Sequence, residues 1–192
     1  MPLANRLLVN PLKALAVLAL FVAGPMTDMA SAADLSGTLW ETAAEAKDLD
    51  PLMLYAVALT ESGRQDDTAI LRPWPWALNI EGRPVFAESQ ADAASILEAH
   101  KHDSVDVGLL QINIRWHGHR VESVHELLEA RTNLDVGAAI LQEALATAPN
   151  DLTAGVGRYH SARPERARAY ARTVLSIYRH LLYQQDAGGT EP

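Results

Sequence analysis

Twelve residues, Pro51 to Ser62, constrain this chain more than any other segment. Leu52-Met53-Leu54-Tyr55-Ala56-Val57-Ala58-Leu59 is apolar at every position. A helix built from it has no polar face to offer water and has to run through the middle of a domain. Its ends are marked as well. Asp50 stands where an N-cap side chain accepts backbone donors, Pro51 where a missing N–H costs nothing, and Gly63 closes the helix after about three turns.

At the far end of this helix the sequence turns to Thr60-Glu61-Ser62. Glu61 shares a helical face with Leu54, Val57 and Ala58, at offsets of seven, four and three. An ionised carboxyl is poorly solvated against apolar neighbours, and the negative end of the helix dipole opposes its charge too. Its pKa is therefore expected above the ordinary carboxylate range. A carboxylic acid that keeps its proton near neutral pH can pass it to a leaving group. A solvated glutamate at a fraying helix end would occupy the same position, and the choice rests on segments further along.

The first 32 residues read as a cleavable secretory leader: Arg6 and Lys13, an apolar stretch from Ala14 to Gly24, then Ala30-Ser31-Ala32 before a cut. That stretch falls short of the about 20 apolar residues a membrane span needs, so no stable anchor is expected after cleavage. The chain has no cysteine, which excludes a lipid-anchored lipoprotein and a disulfide scaffold. Without the leader, 160 residues remain, enough for one domain with a real core. They carry 14 basic and 23 acidic side chains, a net charge of −9 with histidines neutral. That balance argues against a nucleic-acid binder and fits poorly with a basic membrane-surface protein. Arginines nevertheless crowd the last third, at 158, 163, 166, 168, 172 and 179. They are either a solvated helix face or a rim that meets an anionic polymer.

Helical patterns dominate. Helices are expected over Leu35 to Lys47, Glu88 to Lys101, Asn133 to Ala146 and from Pro164 onward, with Ala167, Tyr170, Val174, Ile177 and Leu181 facing inward. Ser123 and Glu126 form a capping box, and Asn150 is placed to cap a further helix. Ala77 to Ile80, Glu81-Gly82 and Arg83 to Phe86 read as a small hairpin, with Pro84 holding the second strand to an edge. Ser104 to Gly108 reads as a turn before another short helix. Residues 33–183 form the domain, and 184–192 a polar tail expected to be disordered. The fold class is α+β, predominantly α.

Two further segments bear on chemistry: Asp106-Val107-Gly108-Leu109-Leu110-Gln111-Ile112-Asn113, and Gly157-Arg158-Tyr159-His160-Ser161. Gly108 lets backbone approach a bulky ligand or simply makes a turn. Gln111 offers donors and an acceptor that suit an acetamido or hydroxyl group, or is an ordinary helix residue. Asn113 offers the same groups or caps a turn. Tyr159 offers a phenol to orient the Glu61 carboxyl, or belongs to the core. His100 and His102, and His117 and His119, form two His-x-His pairs. The first falls on a helix end, where i and i+2 do not face each other, so neither a metal nor a cofactor is expected. Trp74 and Trp76 are a sugar-stacking platform or core aromatics.

Glu61-Ser62, the Gly-Leu-Leu-Gln-Ile-Asn run at 108 to 113 and Tyr159 occur in the order and type of the lysozyme-like lytic transglycosylases. The chain resembles the branch found with conjugation, type IV secretion or pilus systems, in which Pro73-Trp74-Pro75-Trp76 to Asn79 also has a counterpart. The resemblance runs from about Leu35 to Leu182. It implies a lysozyme-like fold with a small hairpin between the catalytic helix and later helices. It also implies a periplasmic location and peptidoglycan glycan strands as partner. By the same resemblance Glu61 is the catalytic acid, and Ser62, Gly108, Gln111, Asn113 and Tyr159 serve substrate. Glu61 would protonate the leaving oxygen, the substrate's N-acetyl group would stabilise the cation, and Glu61 would then take a proton from the muramic acid C6 hydroxyl to give a 1,6-anhydro sugar. Components of a secretion, conjugation or pilus complex are implied as further partners. Two departures stand out: His160 where relatives commonly have asparagine, and 47 positions between Glu61 and Gly108, wider than in the shortest members.

Ordinary glycosidases use two carboxylates. Asp103 and Asp106 are the candidates for a second one. A hydrolysing lysozyme and a non-catalytic peptidoglycan-binding assembly factor on the same fold are the competing functions.

Overall fold

The computed structural model describes residues 34–66 and 70–188; the expected leader lies outside them. Helix α1 spans Leu39–Glu45, shorter than expected because Thr38 caps it on one side and the chain turns at Asp48 (φ 53°) on the other. Helix α2, Pro51–Ser62, is the central element. Asp50 caps it through Oδ1 to the Leu52 N–H (2.8 Å), with Pro51 in its first turn. Every residue from Leu52 to Thr60 is buried. Each large apolar side chain among them contributes about 1.5–3 kcal/mol relative to exposure, which is why the run sits where it does.

Strands β1 (Gly63–Gln65) and β2 (Leu71–Pro73) follow as a small antiparallel pair, Gly63 opposite Pro73. The expected hairpin is present as β3 (Ala77–Ile80) and β4 (Arg83–Phe86). Glu81 and Gly82 both take positive φ at its two-residue turn (51° and 89°), as such a turn requires. Helix α3 (Gln90–Ala99) is capped by Ser89. The stretch expected as a turn at 104 to 108 contains strand β5 (Val105–Val107), which lies between β3 and β6 (Ile112–Asn113) in a sheet ordered β4-β3-β5-β6. Three residues are too few to show a period of their own; the alternation of buried Val105 and Val107 about Asp106 makes sense only once β3 lies alongside. Pro84 is on the edge strand β4, where its missing donor is harmless.

Register decides what each face of the sheet carries. Asn79 stands opposite Asp106, and Asp106 opposite Asn113, so these polar residues form one row on one face. Leu78, Ile80, Val105, Val107 and Ile112 point the other way into the core.

Helix α4 (Ile114–His117) leads to 3-10 turns at Gly118–Arg120 and Val124–Leu128; the second carries the Ser123/Glu126 capping box. Helix α5 spans Ala130–Ala146, α6 Leu152–His160 and α7 Pro164–Gly188. Asp151 rather than Asn150 caps α6, its side chain accepting from the Ala154 N–H (2.9 Å). Helix α7 runs on through Gln184 to Gly188, part of the stretch expected as a tail. It packs against α6 and α2, while α5 packs against α6 and α1. The Tyr178 hydroxyl on α7 donates to Asp50 Oδ2, so the residue that caps α2 also ties it to α7.

Candidate active site

The site begins where α2 ends. Glu61 is half-buried in its last turn, and Ser62 is completely buried. Ser62 Oγ donates to the Leu109 carbonyl (2.7 Å), with the Ala58 carbonyl a longer partner at 3.2 Å. The end of the catalytic-helix candidate is thereby fastened to the segment 108–111, distant in sequence.

That segment is a tight loop between β5 and β6 whose backbone groups are served by side chains from around it. The Gly108 N–H donates to the Ala77 carbonyl (2.8 Å). Gln111 Nε2 donates to the carbonyls of Ala77 (3.1 Å) and Gly108 (3.0 Å). The Tyr159 hydroxyl donates to the Leu110 carbonyl (2.8 Å). Asn133, on α5 and 1% exposed, does most: its Oδ1 accepts from the Leu110 N–H (2.9 Å), and its Nδ2 donates to the carbonyls of Val107 (2.9 Å) and Leu127 (2.8 Å). A buried backbone group left unmatched costs about 1–3 kcal/mol, so this bonding defines one loop conformation.

Gly108 is required by that arrangement. Its φ is +79°, and a Cβ there would sit 2.2 Å from Asn133 Nδ2. The close approach expected of Gly108 is thus made by the protein's own Asn133. One turn further along α5, Gly137 leaves the space that Leu110 fills; a Cβ there would meet Leu110 Cδ1 at 2.2 Å. Asn113 takes the capping role held open for it: its Oδ1 accepts from the Arg115 N–H (3.1 Å) at the start of α4, and its Nδ2 donates to Asp106 Oδ1 (2.7 Å) and Ser104 Oγ (3.1 Å).

Two buried tyrosines feel the charge of Glu61. Burial pushes the Tyr159 phenol well above the ordinary tyrosine range, and the charges of Glu61 and then Asp106 add to it. Its proton goes to Leu110, so of the two roles the sequence left open, orienting Glu61 or belonging to the core, Tyr159 takes the second: it is buried and braces the loop. Tyr170, on α7, has the closer relation to the acid. Burial raises its phenol well above the usual range, followed by the Glu61 charge, Tyr159, and a side-chain hydrogen bond with Glu61. That bond is loose: the Tyr170 hydroxyl makes none of regular geometry among the described residues. The Tyr170 ring is flanked by His160, parallel at 4.7 Å and 7°, and by Tyr159 at 6.4 Å and 15°. His160 therefore packs flat on the tyrosine that reaches the acid.

Other candidates fall elsewhere. Asp103 pairs with His100 (2.8 Å), and His125 lies 3.6 Å from Glu98. Asp106 is on the polar row of the sheet. Trp74 donates through Nε1 to the Ala87 carbonyl (2.8 Å), and the Arg64 guanidinium lies 4.3 Å from its ring centre, so the ring is used within the protein. Sequence reasoning missed Asn133 and the role of Tyr170. An asparagine on the otherwise apolar face of α5 was the available signal for the first; Tyr170 is indistinguishable from a core aromatic in its pattern.

One carboxyl thus stands at the end of a buried helix, near two buried phenols whose pKa values are raised and a loop braced by side chains from around it. The family model for the transglycosylase SLT domain matches residues 38–174. The chain belongs to the transglycosylase SLT family. The matched span opens at the Thr38 cap of α1 and closes within α7, enclosing Glu61, the 108–111 loop, Asn133, Tyr159 and Tyr170. The SLT fold is lysozyme-like and α+β, and the family's activity is lytic transglycosylation of peptidoglycan. No curated protein and no solved structure matches the chain.

Proposed function

We propose that this SLT protein is a periplasmic lytic transglycosylase that cuts the MurNAc–GlcNAc bond of peptidoglycan. It would open the wall locally for a conjugation, secretion or pilus apparatus. The observation that carries the reading is the setting of Glu61, half-buried at the end of buried α2, where its charge raises the buried phenols of Tyr170 and Tyr159. Glu61 protonates the glycosidic oxygen as the bond to the anomeric carbon breaks. The substrate's N-acetyl oxygen shields the cation. Glu61, now a carboxylate, accepts the C6 hydroxyl proton as that oxygen closes on the anomeric carbon, leaving a 1,6-anhydro end. A phenol that keeps its proton serves both halves of the cycle, donating to the carboxylate and accepting from the acid. Ser62, Gly108, Gln111, Asn113 and Tyr159 serve substrate by shaping the loop that backs it. The secretion role rests on the sequence resemblance and an exported chain.

A second reading, a hydrolase, is favoured by one observation: from the polar row of the sheet, the Asp106 charge as well as that of Glu61 raises the Tyr159 phenol. Mass analysis of products from purified sacculi separates the two. Anhydro-muropeptides from the parent and none from Glu61→Gln are expected. Reducing ends that depend on both Glu61 and Asp106 would establish the hydrolase, and no release from either protein would leave a binding factor.

A further inference from the structure

Helix α7 has two faces of opposite character. Tyr170, Ala171, Val174, Ile177 and Leu181 are buried toward α2 and α6. Arg168, Arg172 and Arg179 are exposed. At 100° per residue these three lie within about 40° of one another, a stripe about 16 Å long on the far side of the helix from Tyr170. Among the described residues none of the three makes an ion pair or a side-chain hydrogen bond. Glu165 and Asp186 stand only at its two ends. Arg168 also borders a groove of about 540 Å³ between the end of α5, α6 and the start of α7, lined also by Arg158, by the hydroxyls of Thr147, Thr153 and Ser161, and by Asp151, whose carboxylate caps α6. Arg158 is exposed and unpaired in the same sense.

A solvated face whose purpose is to offset acidic neighbours should show pairs with them, and this one shows none. We propose that the stripe and groove form a second docking surface for peptidoglycan, recognising carboxylates of its peptide stems through Arg158, Arg168, Arg172 and Arg179. The inference rests on the wall being the substrate. Charge complementarity gives the occupant: a chain of net charge −9 without its leader has to approach an anionic meshwork, and the stripe presents three aligned, unpaired cations, with Asp151 the one carboxylate lining the adjoining groove. Guanidinium forks match carboxylates in pairs, which a row of lysines would not do. Because the stripe faces away from Tyr170 and Glu61, it grips a different strand from the one being cut, and anchors the enzyme without occupying the cleavage site.

The test compares Arg168→Gln/Arg172→Gln/Arg179→Gln with the parent, both carrying Glu61→Gln, in pelleting with purified sacculi. Three exposed charge-assisted contacts together should weaken binding by about tenfold, and added salt should bring the parent down toward the variant. With Glu61 intact, the triple variant should cleave short soluble glycan fragments at the parental rate. Sacculi whose carboxyls are capped as amides should bind the parent no better than the variant. Equal pelleting of parent and variant would overturn the proposal. So would undiminished binding to capped sacculi, which would point to an acidic protein partner, or a loss of soluble turnover in the variant, which would place the arginines in the cleavage site. If the parent cleaves no soluble glycan, the proposed function fails, while the pelleting comparison still reports on the stripe.

Discussion

Asn133→Asp tests whether the loop beside Glu61 is held as described. The side chains have the same shape, so α5 and its packing stay intact. The oxygen that accepts from the Leu110 N–H survives, but the Nδ2 that donates to Val107 O at 2.9 Å and Leu127 O at 2.8 Å becomes an acceptor. Two buried carbonyls lose their donor at about 1–3 kcal/mol each, so the variant should be less stable by roughly 2–6 kcal/mol near neutral pH. A typical domain has about 5–15 kcal/mol in all, so this is a large fraction. The deficit should depend on pH in a definite direction. A carboxyl introduced at a site 1% exposed, facing carbonyls, has its folded pKa raised above its unfolded value of about 3.9. Protonated, it can donate to one of the two carbonyls. That rescue is fully present below the unfolded pKa and is lost as pH rises through the folded one. Urea unfolding, followed by the fluorescence of the four tryptophans, should therefore show a smaller deficit at about pH 4.5 than at about pH 7.5. A loss below about 1 kcal/mol at both pH values, or a larger loss in acid, would refute the reasoning.

Tyr159→Phe and Tyr170→Phe should separate bracing from acid positioning. The first leaves the Leu110 carbonyl without its 2.8 Å donor and should cost about 1–3 kcal/mol in urea unfolding. The second should leave stability nearly unchanged, lower turnover about tenfold and shift the pH profile of kcat, because the loose contact it removes is with Glu61. Tyr178→Phe should change alkaline unfolding. Burial, then the Asp50 hydrogen bond and charge, push the Tyr178 phenol up to about 12. Its contribution is present below the unfolded value of about 10 and disappears as pH rises toward about 12. A pH titration of stability should be less steep in the variant over that window.

Much of this architecture was legible because local chemistry and tertiary packing agree. The α2 run, the Asp50-Pro51 start and the Ser123/Glu126 box each form what their residues prefer. Strand β5 was hidden because three residues have no preference strong enough to announce a partner 25 to 29 positions away. Among site residues, the segment 106–113 was found, but the direction of its polar atoms was not. Gln111 and Tyr159 each read either as groups serving the site or as ordinary structural residues, and both donate to carbonyls that hold the loop in place. Donor inventories say what a side chain can bind and leave open which of several nearby acceptors is closer. Asn133 escaped notice because its partners come from three separate segments, brought together only by the fold.

The two tyrosine contacts of α7 with α2 have a joint consequence. Tyr178 is hydrogen-bonded to Asp50 at the first turn of α2, and Tyr170 has its looser relation with Glu61 at the last, so the antiparallel helices are tied at one extremity and interact at the other. Neither can slide lengthwise without breaking the first bond and shifting the second pair. The alignment of the acid is therefore set partly by a phenol at the opposite end of its helix, about 16 Å away along the axis. That phenol lies four residues beyond the end of the matched SLT span, so a chain trimmed at the family boundary would keep every proposed active-site residue and lose the fastening that indexes them.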